Sequence, residues 1–224
     1  MKITIDGPAG SGKTTVARAI SKKLRIPYLE TGKIYRAVGY YLISRGKKAE
    51  EITPDDAVDA LEKVRLIPKI GETDVEIDGK RVGKEIKKEE AGEIASLIGT
   101  FPSFREKVNE FFRKLVGEGP VIAEGRDAGT HIFPEAEIKI FLIASIEDRA
   151  RRRHKDLLAM GMNVSLEEII KMIEERDRRD ETREKYPFVP ARDAVMVDTS
   201  GKKVDEVLRE VLEIIEDKYG KKSP

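Results

Sequence analysis

The sequence predicts an α/β fold, a parallel sheet with helices on both faces, and three observations lead there. Short apolar runs at Ile3–Ile5, Pro27–Leu29, Val121–Ala123, Ile138–Ile143 and Ala194–Val197 have the length and composition of five buried strands. Helical patterns separate most of them, the alternation that produces crossover connections and parallel pairing. Between the first run and the first helix stands Gly7-Pro8-Ala9-Gly10-Ser11-Gly12-Lys13-Thr14, which fits G-x-x-x-x-G-K-[ST] in its expected strand-to-helix place.

The glycines of that turn let successive backbone N–H groups face an anion, and the following helix adds its positive N-terminal end. Lys13 is placed to reach the β- and γ-phosphates of a nucleotide, and the Thr14 hydroxyl to ligate Mg²⁺. The bland reading, a glycine-rich turn that binds nothing, is weakened by Lys and Thr both standing in register. Val16, Ile20 and Leu24 recur every four residues and give the first helix a buried stripe. Val204, Leu208, Val211 and Ile215 do the same for the last helix. Thr53-Pro54 marks a helix start, with a helix near 54–64. Ser145 with Asp148, and Ser165 with Glu168, read as capping boxes for two more helices. Thr73–Ile77 and Lys80–Val82 flank Asp78-Gly79, a pair suited to a type I′ hairpin turn. Residues 37–105, and residues 149–183 with two charged helices around Met160-Gly161-Met162-Asn163, exceed a minimal sheet-and-helix core. Each is expected to close over a site.

At 224 residues the chain is long enough to bury a sizeable core. Its 43 basic and 42 acidic residues leave a net charge of +1, which argues against a nucleic-acid coat or a membrane-surface protein. No apolar run approaches the length of a membrane span, and the N-terminus enters a strand at Lys2, so no signal peptide is expected. With no cysteine, disulfides and thiolate metal sites are excluded, and a reducing cytoplasm is expected. The 38% of charged residues, rich in Lys, Glu and Arg, resembles thermophile surfaces.

Further candidates fall at the carboxyl ends of predicted strands, where ligands gather in open α/β sheets. Thr31-Gly32-Lys33-Ile34-Tyr35-Arg36 follows the second strand, and Arg36 suits a second phosphate as a bidentate donor. Glu124-Gly125-Arg126-Asp127 follows the third, where glycine bends let Arg126 and Asp127 project together and Glu124 stands near any Mg²⁺. Arg176, Arg179, Asp180 and Arg183 share one helical face, a salt-bridged solvated helix or a set of cations that neutralise a transferring phosphoryl group. Most of Arg149, Arg151, Arg152 and Arg153 are expected to be solvated or paired. His131 and His154 have no partner at metal-ligand spacing and read as structural. Asp198 mimics a metal-binding strand end, but no guanine-reading motif accompanies it.

These residues resemble the bacterial cytidylate kinases, one family of nucleoside monophosphate kinases, along nearly the whole chain. The marks are Ile5 to Lys13, Thr31-Gly32 with Tyr35-Arg36, Phe101-Pro102 with Arg105, Gly125-Arg126-Asp127, Phe133-Pro134 with Ala136, and Arg176-Asp177 with Asp180 and Arg183. The resemblance implies a P-loop kinase core with a five-stranded parallel sheet, made of residues 1–36, 106–148 and 184–224. It also implies a monophosphate-binding insertion with a small antiparallel sheet over 37–105, and a helical lid over 149–183. Gly7, Pro8, Ala9, Gly10, Ser11, Gly12, Lys13, Thr14 and Thr15 would hold ATP, with Thr14 on Mg²⁺. Arg36, Arg126 and Arg183 would grip the phosphate of CMP or dCMP. Thr31, Ser96, Arg105 and Asp127 would meet the rest of the acceptor, with Arg176 and Asp180 near its ribose. Catalysis would rest on Lys13, Arg126, Arg179 and Arg183. A cytoplasmic monomer using ATP and CMP or dCMP is expected, with no nucleic-acid or membrane partner. From the residues alone, a kinase for UMP, AMP or shikimate, or a nucleotide-dependent switch, stays open. The chain departs from the family pattern at Glu30, where many relatives carry Asp, at Glu124, and at Arg178, where others carry an acid.

Overall fold

A computed structural model describes residues 1–159 and 161–220; Met160, in the expected loop between the charged helices, lies outside them. The five expected strands form β1 (Lys2–Asp6), β2 (Pro27–Glu30), β6 (Val121–Gly125), β7 (Ile138–Ile143) and β8 (Val195–Asp198). They pair in parallel in the order β2-β6-β1-β7-β8. The small antiparallel sheet expected over 37–105 is formed by β3 (Val64–Ile70), β4 (Glu72–Ile77) and β5 (Lys80–Val82), but the five-stranded count is corrected: these strands join β2 edge-on and extend one sheet to eight strands. Asp78 and Gly79 both have positive φ, 49° and 73°, as a type I′ turn requires.

Strand β3 takes up Val64, which the sequence pattern placed at the end of a helix; that helix, α3 (Pro54–Leu61), stops earlier. Pairing of β2 with β3 covers only Pro27 with Ile70 and Tyr28 with Lys69. The next pair in register would set Leu29 against Pro68, which has no N–H to give. The buried Thr73 of β4 takes over: its hydroxyl donates to the Tyr28 carbonyl (2.7 Å) and accepts from the Glu30 N–H (2.9 Å). Thr73→Val keeps the volume but orphans both groups, so it should lower stability by about 2 kcal/mol in urea melts.

Helices α1 (Lys13–Leu24) and α8 (Val204–Gly220) cover one face, burying Val16, Ile20, Val207, Val211 and Ile215 against Ile3, Ile5 and Ile122. Helices α2 (Gly32–Ser44), α3, α4 (Glu89–Ile98) and α5 (Pro102–Val116) cover the other, around Ile34, Val38, Ile98, Phe104 and Phe112. Helices α6 (Ile146–Ala159) and α7 (Leu166–Glu181) share a small cluster of their own: Ala150, Leu157, Ile169 and Ile173. Ser165 and Glu168 cap α7 reciprocally, whereas at α6 only the Ser145 hydroxyl caps, and Asp148 turns to the Gly201 N–H instead. Among the described residues no helix is long and apolar enough to cross a membrane.

Candidate active site

The site opens at the carboxyl ends of β1, β2 and β6, where strand ends and helix starts crowd polar groups together. After β1 the chain turns through Gly7 to Gly12, with Gly10 and Gly12 at φ 78° and 89°. A Cβ on Gly10 would lie 2.9 Å from the Arg149 Cβ, so α6 rests directly on the loop. Four consecutive loop carbonyls each accept from a cation. Arg126 Nη1 donates to Gly7 (2.9 Å), Lys13 Nζ to Pro8 (3.1 Å), Arg149 Nη1 to Ala9 (3.5 Å) and Arg152 Nη1 to Gly10 (3.1 Å). The Thr199 hydroxyl donates to the Ser11 carbonyl (3.1 Å) and accepts from Arg152 (2.9 Å). The loop is thus ringed by positive charge, the setting a polyphosphate requires.

Lys13 feels that crowding. Burial and then the Arg126 charge pull its pKa down to about 8, against the opposing pull of Glu124. The Thr14 hydroxyl stands 3.1 and 3.2 Å from the two Glu124 carboxylate oxygens, and the Tyr28 hydroxyl donates to the first (3.2 Å). Burial pushes the Glu124 pKa up, although Lys13 and both hydroxyls oppose it.

Across the cleft, Asp127 and Arg105 form an ion pair, both side chains buried. Burial works to raise the Asp127 pKa, but the His131 Nδ1 (3.5 Å) and the Arg105 guanidinium outweigh it and hold it below the usual carboxylate range. The Tyr35 and Tyr186 rings lie 5.9 and 5.2 Å from the Arg105 guanidinium, and Tyr186 adopts a left-handed φ of 60°. Burial pushes the Tyr35 hydroxyl up to about 12. Arg126 Nε donates to Asp180 Oδ2 (2.9 Å), and the other Asp180 oxygen accepts from Arg183. Arg126 therefore joins the phosphate loop to α7. Arg179 donates to the Ser96 hydroxyl (2.7 Å), and Arg36 reaches the carbonyls of Ile86 and Lys88 (both 3.4 Å). Arg176 is open to the cleft, where first the Arg126 charge and then desolvation pull its pKa down to about 10.

One cavity of about 350 Å³ brings together Lys13, Thr14, Thr31, Arg36, Ser96, Arg105, Arg126, Asp127, Arg176, Asp180 and Arg183. An adjoining one of about 390 Å³ adds Gly10 and Arg179 and shares Ala9, Arg36, Arg153 and Arg176. Thr31 spends its hydroxyl on the Glu124 carbonyl (2.8 Å). Thr15 is exposed on the first turn of α1. Asp198 closes a surface turn on the Ser200 N–H and hydroxyl and stays outside the cleft. Sequence reasoning missed Thr199, and Arg149 and Arg152 as loop contacts: cations within one charged run carry no mark of which carbonyl they meet. Arg149 is paired with Asp177, and Arg151 with Asp148 (2.9 Å) at the surface.

The family model for cytidylate kinase matches residues 3–217. A cytidylate kinase from Aquifex aeolicus (strain VF5) is 50% identical over 219 residues, covering 97% of each chain. The chain belongs to the cytidylate kinase family. Another cytidylate kinase, from Fervidobacterium nodosum, is 46% identical over 217 residues, again covering 97% of each. An uncharacterized protein from Eubacterium ventriosum ATCC 27560 has a solved structure that matches with a TM-score of 0.53 at 15% identity. It covers 96% of this chain and 98% of that one, and it speaks to the fold alone. As a member of the cytidylate kinase family the chain is a phosphotransferase.

Proposed function

We propose that this enzyme transfers the γ-phosphoryl group of ATP to CMP or dCMP, giving ADP and CDP or dCDP. The observation that carries this reading is the buried Arg105–Asp127 pair, set across one cleft from Lys13 and joined to the phosphate loop through Arg126. A carboxylate beside a guanidinium suits the amino group and ring acceptors of cytosine, while Arg36, Arg126 and Arg183 suit the acceptor phosphate. Ser96 stands by the base-reading end and Arg176 with Asp180 by the sugar. Thr31 lines the same wall.

Gly7 to Thr14 hold the donor, with Thr15 beside them. The Thr14 hydroxyl next to Glu124 is an oxygen pair fit for Mg²⁺, with Thr14 as ligand and Glu124 ordering water. The ion, when bound, would neutralise charge on the triphosphate. The acceptor is already a phosphate oxygen, ionised near neutrality because its second pKa is about 6, so no general base is required. What remains is alignment and charge. Lys13, Arg126, Arg179 and Arg183 release their carbonyl, hydroxyl and carboxylate partners and turn to the transferring group. Helices α6 and α7, with a cluster of four buried apolar residues among the described ones, act as the lid over 149–183. Residues 37–105 act as the acceptor-side insertion. Closure of both excludes water, which would otherwise make the enzyme an ATPase. In this reading the enzyme works as a cytoplasmic monomer.

Release of ADP across CMP, dCMP, UMP, AMP and shikimate tests the reading. CMP or dCMP should give the highest kcat/KM; turnover on AMP equal to that on CMP would overturn it. Binding of ATP with no acceptor-stimulated turnover would favour a switch.

A further inference from the structure

Strand β1 divides its side chains between two tasks. Ile3 and Ile5 point into the apolar layer under α1 and α8, so Thr4 and Asp6 point the other way. Both are buried there, against the turn that follows β6. The Ala128 N–H donates to Asp6 Oδ1 (2.9 Å) and the Gly129 N–H to Asp6 Oδ2 (2.8 Å). These are the two residues immediately after Asp127. The turn itself, Ala128–Ile132, is a wide helical one whose bonds span five residues. A Cβ on Gly129 would come within 2.6 Å of the Thr4 hydroxyl and 3.3 Å of Asp6 Oδ2, so the backbone lies flat on β1.

We propose that Asp6 is a positioning residue: its carboxylate pins Ala128 and Gly129 and so aims Arg126 and Asp127 at the acceptor nucleotide. The inference rests on the CMP-kinase reading above. A side chain chosen for packing would be neutral here, because burial pushes the Asp6 pKa up to about 7 even with two N–H groups opposing it. The charged form is the one that accepts two N–H bonds, one on each oxygen. Asp6 makes no direct bond to Lys13, whose ammonium donates to the Pro8 carbonyl, and its charge acts on that ammonium less than those of Arg126, Glu124 and Arg176 do. The donor loop also has anchors of its own in Arg149, Arg152 and Thr199. Loss of Asp6 therefore acts on the acceptor side.

Asp6→Asn keeps the shape but turns an NH₂ toward a backbone N–H, so one of the two bonds is lost. Asp6→Ser, smaller, keeps one acceptor and serves if the Asn variant does not fold. Initial-rate kinetics with ATP and CMP should give a KM for CMP raised about tenfold or more, with the KM for ATP moved less than about twofold. Hydrogen exchange should quicken at residues 126–130 and not at 8–13. Equal shifts in both KM values, an unchanged KM for CMP, or failure of both variants to fold would overturn the proposal. Wild-type enzyme that does not turn over CMP in the same assay would instead overturn the reading of function.

Discussion

Lys13→Met should lower kcat about a thousandfold, a loss of about 4 kcal/mol of transition-state stabilisation, and at the same time make the protein more heat-stable at pH 7. The two effects share one cause. The ammonium sits where burial and the Arg126 charge disfavour it, and only a bound triphosphate supplies the negative charge that repays the placement. Its folded pKa of about 8 lies below the 10.5 of a freely solvated lysine, so the unfolded chain binds the proton more tightly. The penalty is full below pH 8 and fades as pH rises toward 10.5, because stability rises with pH wherever the unfolded state holds more protons. The thermal advantage of the Met variant should therefore be largest at pH 7 and shrink by pH 10. In the free wild-type enzyme, kcat/KM for ATP should fall above about pH 8, as the loop loses its ammonium. A Met variant less stable than wild type at pH 7 would show Lys13 to be a structural residue.

The donor half of the site was legible in the sequence because the phosphate loop is local: eight consecutive residues carry both its turn geometry and its ligands. The five parallel strands were legible for a similar reason, since each apolar run is bounded by its own turn signals, although β8, at the sheet edge, buries only Val197. Strand β3 was not, because Pro68 argues against a strand and only the stop in the β2 pairing and Thr73 of β4 make room for it. Nor was the union of the two sheets, which depends on an edge meeting between Pro27 and Ile70, 43 residues apart. On the acceptor side, Arg126 with Asp127 and the arginines of 176–183 stood out as segments, although Arg183 lies past the end of α7 and off its helical face. That Arg126 spans Gly7 and Asp180 is a fact of three distant elements converging, and no spacing encodes it. Arg105 was reached through family resemblance; as a residue on an amphipathic helix it looks like any surface arginine. Its burial beside Asp127, under the Tyr35 and Tyr186 rings, belongs to the fold.

That pair yields the second large effect. Asp127→Asn should raise the KM for CMP about a hundredfold, because a site built to hydrogen-bond one base edge loses far more than it would by a change of apolar contact. The KM for ATP should move less than about threefold, since the donor loop keeps all its own anchors. Stability should fall by about 3 kcal/mol, the cost of leaving the buried Arg105 guanidinium without its counter-charge. The loss depends on pH in a definite direction. Burial tends to raise the Asp127 pKa, but His131 and Arg105 prevail and the folded value lies below that of the unfolded chain. The carboxylate's contribution is then complete above the unfolded pKa and is lost as pH falls through the folded one. Urea melts of the two proteins should differ by a steady amount from neutral pH down to the ordinary carboxylate pKa, and converge only at more acidic pH, as the folded wild-type group takes up its proton. Convergence places the destabilisation in the charge; a difference that persists in acid places it in the shape of the substituted side chain. If both KM values rose together while the melts behaved as expected, Asp127 would be a strut for the cleft and the base would be read elsewhere.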